Sequence, residues 1–192
     1  MTIIPARCSW CDSSDLYRQY HDEEWGIPLK DDDSLFRLLM LEGQQAGLAW
    51  ITVLNKREHM DRVFFGFNPQ RLARATEATV DKWATDPGVI RHRGKLNALI
   101  TNARCRLEIP SFSAWLWSFA AGPDASKPDA VPAQTLQSQA MSKALKKAGF
   151  RFVGPTICYA FMQSAGMIND HHPNCWRYEE CDELVNKALL HR

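Results

Sequence analysis

Apolar residues recur along this chain at intervals of three and four, while strict alternation over four or more positions is scarce. That pattern predicts helices throughout and few strands or none. Residues 15–24 read as a short helix. Asp33 or Ser34 can cap a longer one carrying Leu35, Phe36, Leu38, Leu39 and Met40, because a short polar side chain satisfies the first free amides of a helix. Gly43 and Gly47 predict a break, with a second helix over residues 49–64. Asn68-Pro69 opens another short helix, and residues 76–86 form the next, stopped by Asp86-Pro87-Gly88. A helix over 95–108 ends before Pro110, and Ser111 or Ser113 then caps a short aromatic helix with Trp115, Trp117 and Phe119. Residues 122–132, rich in Pro, Asp and Ala, read as an exposed loop. A helix with a basic face follows at 137–148, then a glycine-bounded connection at 149–154, then a helix from Pro155 to about residue 165. The tail over 181–190 is also helical by pattern. The expected architecture is all-α, a bundle in two helical lobes forming one domain over residues 1–192.

Length and composition narrow the class. A chain of 192 residues with 45% hydrophobic content can bury an ordinary core. Six cysteines in that length do not make a disulfide scaffold. No charged-then-apolar leader and no apolar run of about 20 residues is present, so the expectation is a cytoplasmic protein with reduced thiols. The net charge of +1 neither supports nor excludes a nucleic-acid partner. Acidic residues gather early, at Asp22, Glu23, Glu24 and 31–33. Basic residues gather later, at Arg91, Arg93 and Lys95 and again at Lys143, Lys146, Lys147 and Arg151. Each basic cluster taken alone reads as a solvated helix face.

Four residues of metal-ligating type lie near the two ends: Cys8 and His21, then His171 and Cys175. The second pair is separated by three residues, so on a helix or tight turn both side chains face the same way. A closed tetrahedral set of two thiols and two imidazoles has no open position for a substrate, and such sites are usually structural. Here it would clasp one end of the chain to the other. Spacing alone leaves the set open, because Cys11, His172 and Cys181 are also available. Cys8-Ser9-Trp10-Cys11 also has redox spacing, a weak reading without a strand-to-helix unit around it.

Two further features carry chemistry. Residues 137–166 read as helix, six-residue turn and helix, with Gly149 and Gly154 bounding the turn. Glycines permit positive φ and close approach of another backbone. The following helix N-terminus would meet an anion, with Lys146, Lys147 and Arg151 around it. That is a grip on a DNA phosphate, or else a plain helical hairpin. Glu42 falls on the apolar stripe of Leu35, Leu38 and Leu39, with Ala46 and Ala49 beyond if the helix continues. A carboxylate there is costly unless partnered; it is either a pocket group or sits at a frayed end reaching water. Trp50, Tyr17 and Tyr20 are aromatic groups that can surround a flat, electron-poor ring.

The blocks 17–26 (YRQYHDEEWG), 41–51 (LEGQQAGLAWI), 90–95 (IRHRGK) and 152–159 (FVGPTICY) resemble the signature segments of the 3-methyladenine DNA glycosylase I family, among the helix-hairpin-helix glycosylases. The resemblance runs from about Cys8 to Cys175. It implies a monofunctional enzyme that flips 3-methyladenine out of alkylated double-stranded DNA and hydrolyses its N-glycosidic bond, acting as a monomer without an organic cofactor. It implies a structural Zn²⁺ on Cys8, His21, His171 and Cys175, leaving Cys11 and His172 as extras. It implies Glu42 as the catalytic carboxylate, with Tyr17, Tyr20 and Trp50 as the base pocket. Gly47 and Leu48 resemble the family's probe into the duplex, and Gly149, Arg151 and Gly154 fall on its DNA-binding hairpin. Many helix-hairpin-helix glycosylases use an aspartate after the hairpin, and Asp170 stands at that distance. The family resembles a variant without one. No lysine is placed as a Schiff-base nucleophile, so lyase activity is not expected.

Overall fold

The computed structural model describes residues 6–121 and 131–190. The loop expected over 122–132 lies almost wholly outside the described residues. Eleven α-helices account for the architecture, and no strand occurs among the described residues. They are α1 (Asp15–Glu23), α2 (Asp32–Gln45), α3 (Trp50–Leu54), α4 (Arg57–Val63), α5 (Pro69–Ala73), α6 (Glu77–Thr85), α7 (Arg93–Leu107), α8 (Phe112–Trp117), α9 (Leu136–Lys147), α10 (Pro155–Ser164) and α11 (Tyr178–Leu190).

Local chemistry explains where these helices begin and end. The Ser14 hydroxyl accepts from Tyr17 N–H and caps α1. Asp31, rather than Asp33 or Ser34, caps α2 by accepting from Ser34 N–H. Asp32 and Asp33 then occupy the first turn, where carboxylates complement the helix dipole. The single helix expected over 49–64 is two. Ile51, Thr52 and Val53 are successive β-branched residues, which lose side-chain freedom in a helix. Asn55 follows, and the Lys56 amide closes a tighter bond to Val53 O at 3.0 Å, ending α3. α11 begins a turn earlier than the sequence pattern suggests, with Glu179 and Glu180 in its first turn.

α2 is central, packing against α10, α3, α7 and α8, while α5 lies on α7 and α9 on α10. Leu35, Phe36 and Leu39 of α2 are fully enclosed in the main core with Phe112, Leu145 and Phe161. A smaller cluster of Cys8, Tyr20, Trp25, Leu54 and Cys175 sits at the joined chain ends, and Trp50 packs against both clusters. The ends are tied by Trp176 N–H donating to Ala6 O at 3.0 Å. No helix among the described residues is long and apolar enough to cross a membrane.

Candidate active site and metal centre

The last full turn of α2 carries Glu42 into a cavity of about 310 Å³, at the small end of the range for ligand sites. Ala46 and Ala49 do not extend its stripe, because α2 stops at Gln45. Glu42 is 2% exposed, so its carboxylate does not reach water at a frayed end. The walls are aromatic: Tyr17 and Tyr20 from α1, Trp50 opening α3, and Trp10 and Trp25. Tyr20 and Trp50 lie 5.5 Å apart between ring centroids, and Trp10 meets Tyr17 edge-on at 4.9 Å. The Trp50 indole Nε1 is buried without a hydrogen-bond partner among the described residues.

Among the described residues Glu42 has one donor, the Ser164 hydroxyl, at 2.9 Å from Oε1. Ser164 in turn accepts from the Tyr20 hydroxyl at 3.0 Å. Burial pushes the Glu42 carboxyl up to about 8, and the Ser164 hydrogen bond opposes that rise. Burial likewise raises the Tyr17 and Tyr20 hydroxyls, so both are neutral donors. The second carboxylate of the cavity, Asp170, is occupied by the protein. Its Oδ2 accepts from Tyr159 at 2.6 Å and from Gln163 at 2.8 Å.

The expected set of Glu42, Tyr17, Tyr20 and Trp50 therefore meets in one cavity. The sequence does not single out Trp10, Trp25, Gln163 or Ser164 as cavity residues. A signal exists for the last two: Ala160, Gln163 and Ser164 stand at i, i+3 and i+4 on a helix that is otherwise mostly apolar. Trp10 follows Cys8 in a short 3₁₀ turn and has no comparable signal.

Beside this cavity the chain turns sharply. Gln45 lines the cavity, and its amide donates to Leu48 O at 2.8 Å. Gly47 has φ +77°, and Leu48 is 38% exposed. Lys95 is not on a solvated face: it is 5% exposed, and its ammonium donates to Gln44 O and Ala46 O, each at 2.7 Å. Arg93 is bound by Glu77 and Asp81. Of that basic cluster only Arg91 stays an exposed cation with no acidic partner among those named.

The connection from α9 to α10 keeps Lys146, Lys147 and Arg151 exposed. Its left-handed residues are Gly149 at φ +95° and Phe152 at φ +57°. Gly154, expected to share that role, is extended at φ −63°. A Cβ at Gly154 would meet nothing within 4 Å, so its bareness serves no internal packing. Asn102 of α7 holds the turn on both sides, donating to Arg151 O at 3.0 Å and accepting from Arg151 N–H at 2.7 Å. Ser142 donates to Val153 O at 2.6 Å.

Cys8, His21, His171 and Cys175 converge, all buried, with their ligand atoms within 4.8 Å of one another. Cys8 Sγ lies 3.7 Å from His171 Nδ1, and Cys175 Sγ lies 3.4 Å from His21 Nε2 and 3.5 Å from His171 Nδ1. Sulfur and nitrogen on a tetrahedral centre with bonds of about 2.3 and 2.05 Å stand about 3.5 Å apart. The tautomers also suit a metal ion. His21 Nδ1 donates to Asp22 at 2.8 Å, and His171 Nε2 donates to Trp25 O at 3.2 Å. Each ring thus turns an unprotonated nitrogen inward, as metal-binding imidazoles do. Burial pushes the Cys8 thiol up to about 12 and His171 down to about 4, so a cation bound here would have to displace the Cys8 proton, while the His171 ring is already free to bind it. Cys11 is apart, its thiol donating to Cys8 O at 3.1 Å. His172 is exposed; its backbone N–H donates to Cys8 Sγ and its carbonyl accepts from Cys175 N–H, while its ring is not among the four converging ligands.

The chain as a whole has relatives among known proteins. The sequence profile of the methyladenine glycosylase family matches residues 10–178, which leaves Cys8 and all but the first residue of α11 outside it. The chain is 47% identical over 180 residues to DNA-3-methyladenine glycosylase 1 of Escherichia coli, covering 90% of this chain and 96% of that protein. A crystal structure of a 3-methyladenine DNA glycosylase I superimposes with a TM-score of 0.84 at 46% identity, covering 89% of this chain and 98% of the other. The Staphylococcus aureus enzyme, whose structure was determined for its recognition of 3-methyladenine, gives 0.82 at 34% identity, over 90% of this chain and 96% of that one. The chain is a member of the methyladenine glycosylase family, hydrolases of N-glycosyl bonds.

Proposed function

We propose that this protein is a monofunctional DNA glycosylase that flips 3-methyladenine out of alkylated duplex DNA and hydrolyses its N-glycosidic bond, so opening base excision repair. The observation that carries the reading is Glu42, buried in an aromatic cavity with a single donor among the described residues. Methylation at N3 leaves the adenine of a deoxynucleotide formally positive. A cation entering the cavity lowers the cost of ionising Glu42, which neutral adenine cannot do. Tyr17, Tyr20 and Trp50 favour the same charge through their ring faces. Glu42 accepts from the adenine edge, and a water adds to C1′ of the sugar and gives up a proton to solvent. The glycosidic electron pair leaves with the base, now neutral. Extrusion costs a few kcal/mol, and Gly47-Leu48, between the cavity residues Gln45 and Trp50, would fill the gap.

The α9–α10 connection is read as a helix-hairpin-helix within about 137–166 of a single domain. Gly149, Arg151 and the open backbone at Gly154 would meet phosphate without reading sequence. Cys8, His21, His171 and Cys175 would hold Zn²⁺, which supplies a closed structural clasp and no chemistry on substrate. Asp170, engaged by Tyr159 and Gln163, is given no catalytic role, and the enzyme is read as a monomer.

Chromatography of the bases freed from N-methylated duplex DNA tests this. Release of 3-methyladenine with 7-methylguanine retained is expected. No release by folded, metal-loaded protein would reduce the chain to a DNA-binding module.

A further inference from the structure

We infer that Ser164 is a positioning residue for Glu42: its hydroxyl, itself held by Tyr20, pins one carboxylate oxygen and leaves the other to meet the base. The inference deepens the base-pocket reading and rests on it. Ser164 is the last residue of α10, and Glu42 lies in the last full turn of α2, so the contact joins two helices at one point. Tyr20, Ser164 and Glu42 are all buried, so the contact is shielded from bulk solvent. The Tyr20 hydroxyl donates to Ser164 Oγ at 3.0 Å, so the serine proton is free to go to Glu42 Oε1 at 2.9 Å. An uncharged hydroxyl can donate to Glu42 without presenting a positive charge that would compete with a cationic base.

The same hydrogen bond sets when the carboxylate is charged. Burial holds Glu42 protonated up to about pH 8, and among the described residues Ser164 is the one contact that works against burial. The other titratable groups around it do not supply that effect. Tyr17 and Tyr20 of α1 are neutral, with hydroxyls raised by burial. Asp170, after α10, accepts from the Tyr159 hydroxyl, and Cys158 donates to Val153 O. Lys95 of α7 is bound to the Gln44 and Ala46 carbonyls. α3 and α8 carry no titratable side chain.

The test is the pH profile of kcat/KM for 3-methyladenine release from methylated duplex, in wild type, Ser164→Ala and Ser164→Thr. The wild-type profile should rise to a plateau with a midpoint near pH 8. In Ser164→Ala the midpoint should move up by roughly one pH unit, the scale of losing a hydrogen bond to a charged group. Ser164→Thr, which keeps the hydroxyl, should return it. A Ser164→Ala profile that is only scaled down, with its midpoint unmoved, overturns the assignment. Carbon-13 NMR titration of the Glu42 carboxyl in the same proteins, and in Tyr20→Phe, reads the relay without turnover. An upward shift in Ser164→Ala supports it even if no base is released, and an unchanged titration sinks it. Failure of the wild type to release base contradicts the pocket reading alone.

Discussion

Glu42 is costly where it stands, and the cost has a sign that can be measured. Folded Glu42 keeps its proton to about pH 8, whereas an unfolded glutamate loses it near pH ~4.3. Between those values the folded state binds more protons, so this residue's contribution to stability is present at low pH and is lost as pH rises. Glu42→Gln, neutral throughout, should therefore come nearest to wild type at or below about pH 4 and gain on it by at least about 1 kcal/mol by pH 8. Thermal melts of both proteins at the two values check this; a constant gap would mean that Glu42 is not buried in an ionisable state. A glutamate on an apolar stripe is legible from spacing alone, and the structure bears out its burial. Its partner Ser164 lies more than a hundred residues away in sequence, and only the packing of α10 on α2 brings the two together.

Helix boundaries follow side-chain chemistry that the periodicity only outlines. The pattern locates α1, α6, α7 and α10 closely, because each has a strong cap, a Pro start or a clear stop. It merges α3 with α4, because both carry apolar residues in phase and the break depends on Asn55 and three β-branched neighbours. The glycines of the α9–α10 connection divide in the same way. Gly149, at φ +95° and with Cys105 Sγ 2.9 Å from a built Cβ, is required by the fold. Gly149→Ala should cost about 1 kcal/mol or more, seen in a urea melt. Gly154→Ala should leave the melt within about 0.5 kcal/mol of wild type, as for substitutions away from packing. If bare backbone there meets phosphate, the same variant should weaken binding to duplex DNA by about tenfold, one lost backbone contact. Undiminished DNA affinity in Gly154→Ala would remove that position from the interface.

Across the whole molecule, the chain ends are joined at a cluster whose four ligands come from residues 8, 21, 171 and 175. The sequence offers seven candidate cysteines and histidines for it, and spacing does not choose. Inward-facing nitrogens on His21 and His171, set by Asp22 and Trp25, choose four. A metal at 1,000 times its dissociation constant adds about 4 kcal/mol to stability, worth roughly 10 °C in a protein of this size. Chelation should lower Tm by about that amount, and Cys8→Ser should do the same, while Cys11→Ser should shift it little. Equal effects of Cys8→Ser and Cys11→Ser would favour the paired-cysteine reading. The central claim is narrower than the clasp: a buried carboxylate selects a cationic base. It is tested most directly by single-turnover release of 3-methyladenine from methylated duplex by folded, metal-loaded wild type and Glu42→Gln. The account predicts release by wild type and a rate lower by roughly 10- to 100-fold in the variant, the scale of one charge-assisted hydrogen bond. Equal rates in the two proteins would contradict it.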